Sequence, residues 1–185
     1  MIYHSVSEIF DSIDETRARL RARLDSVTSA EESQRPNADR WSVAEITEHL
    51  SIIEGRVSKL FPVMLTKAEA GGLQRSPDQP FQPVTVAEMV ERSKREKYVA
   101  PETATPTGTV SITDSLARLE HSREAIRALS PRLEALDLTS VTYPHPVFGM
   151  LNTYQWLIFL GAHEERHLRQ IESLMASRQA NAKGE

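Results

Sequence analysis

Apolar residues recur every three or four positions along four long stretches of this chain, and no segment alternates apolar and polar residues convincingly. That pattern restricts the fold more than any other feature. A period near 3.6 buries one face of a helix, whereas a period of two buries one face of a strand. The first stretch runs from about residue 5 to 27 and carries Ile9, Ile13, Thr16, Leu20, Leu24 and Val27. Ser5 and Glu8 have the spacing of a capping box at its start,. The second follows Trp41, where Ser42 and Glu45 repeat the box, and its stripe is Ile46, Leu50, Ile53, Val57 and Leu60. Pro62 is expected to kink or end that helix near Phe61, because proline lacks an N–H and crowds the preceding turn,.

Residues 71–83 read as a loop, a shorter helix is predicted from Thr85–Glu88 to about Lys97, and a Pro/Thr/Gly-rich loop follows,. The third long helix spans about 112–129, with Leu116, Leu119 and Ile126. Residues 131–146 look irregular, with one helical turn near Leu133. The last helix starts at Asn152 or Thr153 as N-cap and aligns Trp156, Leu160, His163, His167, Ile171 and Leu174,. The expected fold is all-α: a four-helix bundle with a long crossover between helices two and three. One domain is expected over residues 1–178, and a flexible polar tail over 179–185,.

Three function classes lose support at this level. A net charge of −4, with basic residues scattered among acids, offers no basic face for nucleic acid,. The absence of cysteine excludes disulfides, thiolate zinc sites and a cysteine nucleophile from this chain, so thiol chemistry would need an external thiol,. The N-terminus has neither the basic nor the apolar region of a signal peptide, and the most apolar run, WLIFLGA, is too short to span a bilayer,. A cytoplasmic protein is expected.

Of six histidines, three lie on otherwise apolar faces. His49 falls between Ile46, Leu50 and Ile53, and His163 and His167 fall between Leu160 and Ile171. A neutral imidazole has a donor and an acceptor to satisfy, and leaving them unpaired in an apolar stripe is costly. One such residue is usually a core histidine with a hydrogen-bond partner. Three invite a shared cation, since imidazoles four residues apart on a helix can reach one ion and a facing helix can add a third. The plainer alternative is that His163 and His167 flank a helix–helix contact with His49 elsewhere. His4 and His121 are expected on the surface, and His145 either borders a pocket or makes a turn.

His163, Glu164 and His167 also match H-E-x-x-H, the zinc and general-base pattern of many metalloproteases,. The context disfavours that reading. Gln170 stands where the metzincin extension needs glycine, Glu172 is too near for a distal ligand, and no strand offers a peptide groove,. Glu164 as an acid/base group is therefore a minority expectation.

The segment WSVAEITEHLSIIE resembles the second helix of the DinB/YfiT-like superfamily. HPVFGMLNTYQWLIFLGAHEERHLRQIESL resembles its last helix and approach loop, with H-x-x-R-H at His163–His167. The resemblance implies a four-helix bundle that holds one divalent metal through His49, His163 and His167, frequently as a homodimer. It also implies thiol-dependent transferase or isomerase chemistry using bacillithiol, mycothiol or glutathione, with a small-molecule thiol and an electrophile as partners. All-nitrogen ligation suits zinc or nickel, then iron or copper. Arg166 and Arg169, beside the ligands, are candidates for pairing with a carboxylate of the thiol cofactor, the alternative being solvated charges on the helix surface,. A non-catalytic, metal-stabilised stress or interaction protein is the alternative, and an H-E-x-x-H metallohydrolase ranks below both.

Overall fold

The computed structural model describes residues 2–76, 78–87 and 102–183, with side chains described as far as Arg178 in the last helix. In chain order the elements are β1 (Ile2–Tyr3), α1 (Val6–Leu24), α2 (Ser29–Glu32), α3 (Val43–Ala70) and β2 (Val84–Thr85). A 3-10 turn (Glu102–Ala104) precedes α4 (Ile112–Arg127), α5 (Ser130–Ala135), β3 (Thr142–His145), β4 (Gly149–Asn152) and α6 (Thr153–Lys183). The four long helices α1, α3, α4 and α6 form the bundle. α3 packs along α4, α1 along α6, and α3 also against α6.

Their starts are set by side chains that satisfy free backbone N–H groups. Ser42 Oγ accepts from Glu45 N at 3.2 Å, and Glu45 Oε2 accepts from Ser42 N at 2.8 Å. At α6, Asn152 Oδ1 accepts from Gln155 N and Gln155 Oε1 accepts from Asn152 N, both at 2.9 Å.

The core consists of two apolar clusters stacked along the bundle axis. One contains Ile9 and Ile13 of α1, Phe61 and Leu65 of α3, Ile126 of α4, and Leu157 and Leu160 of α6. The other contains Leu20 and Leu24, Ile46 and Leu50, Ile112 and Leu119, and Leu168 and Ile171. Going from the first cluster to the second, residue numbers rise along α1 and α6 and fall along α3 and α4. α3 and α4 are therefore parallel neighbours, and only a connection running back along the bundle can join them. The long crossover is this return path.

Of the two outcomes expected at Pro62, a kink or an end, the end does not occur: the helix continues to Ala70. Pro62 is exposed, so its ring faces solvent, where an unpaired carbonyl can be hydrated,. Phe61, Met64, Leu65 and Ala68 are buried on the opposite side, and their packing outweighs the roughly 3 kcal/mol that an interior proline costs,.

Further differences are short elements. Thr85 pairs with Ile2 in a two-residue antiparallel ladder, where a helix start was expected, and the rest of that predicted helix from residue 88 lies outside the described residues. Residues 142–152 form a hairpin, with Thr142 opposite Asn152 and His145 opposite Gly149, within a region read as irregular. Gly149 has φ +75, which a residue with a Cβ rarely adopts,. α6 remains helical to Lys183, into the segment read as a tail. No helix is long and apolar enough to cross a membrane among the described residues.

Candidate metal centre

Between the two apolar clusters each long helix contributes one charged residue: Arg17 from α1, Glu54 from α3, Arg123 from α4 and Glu164 from α6. All four are buried. Arg17 Nη2 donates to Glu54 Oε2 at 2.6 Å and to Glu164 Oε2 at 3.2 Å. Arg123 Nη2 donates to Glu54 Oε2 and Glu164 Oε2, both at 3.1 Å, and its Nη1 reaches Asp14 Oδ1 at 3.0 Å. Burial pushes the Glu164 carboxyl above its ordinary range, although Arg17 and Arg123 pull it down. Burial opposes the Arg123 charge too, but Glu54 and Glu164 more than offset it and raise its pKa. Glu164 is thus committed on both oxygens to guanidinium donors. A general base must be free to take a proton from a reacting group, and these two arginine partners leave the Glu164 carboxylate engaged elsewhere.

One residue before and three after Glu164, the chain turns toward α3. His49, His163 and His167 come together, with one ring nitrogen from each lying within 4.8 Å of the other two. Their ring centroids are 4.6 Å (His163–His167), 5.0 Å (His49–His167) and 5.2 Å (His49–His163) apart. His49 Nε2 and His163 Nε2 are 3.3 Å apart. Two nitrogens bound tetrahedrally to one ion at about 2.0–2.1 Å would be separated by about 3.3–3.4 Å.

The proton positions follow from the partners. His49 Nδ1 lies 2.7 Å from the Ala104 carbonyl. A carbonyl only accepts, so Nδ1 carries the hydrogen and Nε2 presents its lone pair to the cluster. His167 Nδ1 lies 2.9 Å from Gln170 Oε1, which selects the same tautomer. His167 Nε2 is buried and has no hydrogen-bond partner among the described residues. A buried acceptor without a donor is expensive, and a cation is the partner that would satisfy this one together with its two neighbours.

The electrostatics keep the rings neutral. Burial lowers the pKa of His49, and the Arg166 charge adds to the effect. His163 is held well below the ordinary range by burial, then by His167, His49 and Arg166. His167 is pushed down to about 3 by burial, with His49 and Arg166 contributing. Neutral imidazole is the form that binds a metal, so the rings are in the binding form without paying for deprotonation at neutral pH.

Around the cluster, the Trp41 ring lies 5.0 Å from His49, and Phe159 stacks on His163 at 5.3 Å. His145 packs on Phe148, Trp156 and Phe159, and its Nδ1 accepts from Val147 N at 3.1 Å and Phe148 N at 3.2 Å. It therefore makes the hairpin turn. Burial lowers its pKa to about 4. Arg166 is half-buried, near enough for its charge to reach all three histidines, whereas Arg169 is exposed and pairs with Glu165. His4 and His121 are exposed, as expected. Glu45, one turn before His49, spends its carboxylate on Ser42 and Arg35. The acceptor for His49 is the carbonyl of Ala104, a backbone group that no sequence motif marks.

A family model described as the DinB superfamily matches residues 12–171. The uncharacterized protein YuaE of Bacillus subtilis (strain 168) is 27% identical over 162 residues, covering 87% of this chain and 93% of its own. The crystal structure of TT2238, described as a four-helix bundle protein, superposes with a TM-score of 0.58 at 19% identity, covering 90% of this chain and 98% of that one.

Proposed function

The chain belongs to the DinB superfamily, and from that premise we propose that it is a metal-dependent transferase that activates a small-molecule thiol at His49, His163 and His167. One observation carries the reading: three neutral imidazoles face one another, and one of them, His167, has a buried Nε2 with no hydrogen-bond partner among the described residues. Three neutral ligands would leave a divalent cation, zinc or nickel before iron or copper, with its full charge and an open position, and such a cation favours the thiolate form of a bound thiol.

The remaining roles fall to this chain's own side chains. Ala104 and Gln170 hold the tautomers of His49 and His167. Trp41 and Phe159 place apolar rings against His49 and His163, which limits water at those faces. Arg166 supplies the positive charge beside the cluster that would pair with a carboxylate of a bacillithiol, mycothiol or glutathione type of thiol. The chain has no cysteine, so the nucleophilic sulfur comes from outside. A hydrolase reading would require Glu164 as the base, and its arginine partners disfavour it.

Metal analysis of the purified chain, prepared without chelator, is the first test. About one divalent ion per chain is expected, lost in His49→Ala. No bound metal, or full retention in His49→Ala, would overturn the site. The metal-loaded protein, screened against thiol and electrophile pairs, is expected to give thioether products. Stoichiometric metal without turnover of any pair would instead support a metal-stabilised bundle without catalysis.

A further inference from the structure

The Ala104 carbonyl that orients His49 belongs to the end of the crossover, and α3 fastens that segment on both sides of Ala104. Upstream, Arg56 Nη1 donates to Thr103 Oγ1 at 2.9 Å, and its Nη2 donates to the Thr103 carbonyl. Downstream, Glu48 Oε1 accepts from Thr107 N at 2.9 Å and from Thr107 Oγ1 at 2.7 Å, while Oε2 accepts from Gly108 N at 2.9 Å. Gly108 has φ +75, and a Cβ there would lie 3.3 Å from Glu45 Oε1, so a side chain at this approach to α3 would be strained,. Ala104 is completely buried, and Glu48 is only 1% exposed.

A buried carboxylate is costly, and three donors satisfying it show that its position is specified. Glu48 directly precedes His49, and Thr103 directly precedes Ala104. The two latches therefore fix the donor ring and the acceptor carbonyl relative to one another.

We propose that Glu48 and Arg56 are positioning residues for the metal centre. They lock residues 102–108 onto α3, so that the Ala104 carbonyl holds His49 as the Nδ1–H tautomer with its Nε2 lone pair toward His163 and His167. This rests on the metal reading above, but its effect on the tautomer exists in the metal-free chain. Partners that orient a ligating histidine typically change metal affinity about 10–100-fold when removed.

The test uses the full chain with zinc alone, titrated in competition with a chromophoric chelator. Wild type is compared with Glu48→Gln, Arg56→Ala and Arg56→Lys. In parallel, the ring-nitrogen NMR shifts of His49 are recorded without metal, and urea unfolding monitors the fold. Gln keeps one acceptor oxygen but turns an amide N–H toward a donor. Arg56 is exposed, so its replacement leaves the fold intact and decides the matter even if Glu48→Gln unfolds.

The expected result is a zinc affinity about 10–100-fold weaker in Glu48→Gln and Arg56→Ala, with partial recovery in Arg56→Lys. The His49 shifts are expected to move from the Nδ1–H tautomer toward a mixture. Affinity within twofold of wild type together with an unchanged tautomer in Arg56→Ala would overturn the proposal. If wild type binds no zinc, the metal reading falls, and the tautomer measurement still decides for or against the latch.

Discussion

Replacing Glu164 by Gln removes one of two negative charges from a buried layer that also holds two arginines. Glu164 is 2% exposed and accepts from Arg17 through Nε and Nη2 and from Arg123 through Nη2. In Glu164→Gln the layer keeps both guanidiniums but only Glu54 fully buried against them, because Asp14 is partly exposed. One amide oxygen can still accept, whereas the amide nitrogen must face an N–H donor. Breaking a buried ion pair from one side costs about 3–5 kcal/mol, a large share of the roughly 5–15 kcal/mol that holds a domain together. With a urea slope of about 2 kcal/mol/M, the unfolding midpoint should fall by about 2 M at an unchanged slope. Glu165→Gln is the control: its pairs with Arg19 and Arg169 are exposed on the arginine side, so a change of about 1 kcal/mol or less is expected,. Metal content of the folded variant should match wild type. A Glu164→Gln midpoint equal to that of the control would refute the assignment of Glu164 to the layer. Native stability combined with abolished hydrolysis of some substrate would return it to the role of base.

Three other outcomes are expected. The metal-free chain should lose stability as pH falls from about 6.5 toward 4, because the unfolded chain protonates its histidines first. His145, held at about 4, and His167, held at about 3, stay neutral in the folded state, while the raised Glu164 acts in the opposite direction. Urea midpoints at pH 7 and pH 5 with chelator present check the sign, and a higher midpoint at pH 5 would contradict it. Gly161→Ala should lower the thermal midpoint even though alanine favours helix by about 1 kcal/mol, since its Cβ would meet Ile13 Cγ2 at 2.7 Å and Cα at 3.4 Å, and overpacking costs about 1–3 kcal/mol,. Gln170→Leu should weaken zinc binding about 10–100-fold while leaving urea unfolding near wild type, because it frees the His167 tautomer; unaltered affinity would show that Gln170 has no such part,.

Most of the bundle was legible because burial repeats along a helix. Ile9, Ile13, Leu20 and Leu24, or Ile46, Leu50 and Val57, declare a face whatever they pack against. The convergence of His49, His163 and His167 was legible for the same reason: each is a polar ring at a position the stripe reserves for apolar ones. Whether Pro62 ends its helix depends on which side of the helix it faces, and that is settled only when the neighbours are placed. The hairpin at 142–152 escaped notice because four-residue strands, one containing Pro144, are too short to show alternation,.

The charged layer had a sequence signal that periodicity alone passes over. Arg123 falls between Leu119 and Ile126, Glu54 between Leu50 and Val57, and Glu164 four residues after Leu160, each on the buried stripe of its helix. A lone charge on such a stripe is an anomaly; one on each long helix, at matching depth and with two of each sign, is a neutral layer. That also gives Glu164 a structural place of its own within a metalloprotease-like pattern. Adjacent helical residues diverge by about 100°, so the histidines at 163 and 167 face α3 while Glu164, directly after the first, turns to the arginines of α1 and α4,. Glu164, the glutamate of H-E-x-x-H, thus belongs to the register of the bundle, and the motif's two histidines meet their third neighbour, His49, on another helix. What remained unreadable is the Ala104 carbonyl, since a backbone acceptor has no residue type of its own. Only the pairing of buried Glu48 with the Thr107–Gly108 amides reveals why the crossover stops where His49 needs it.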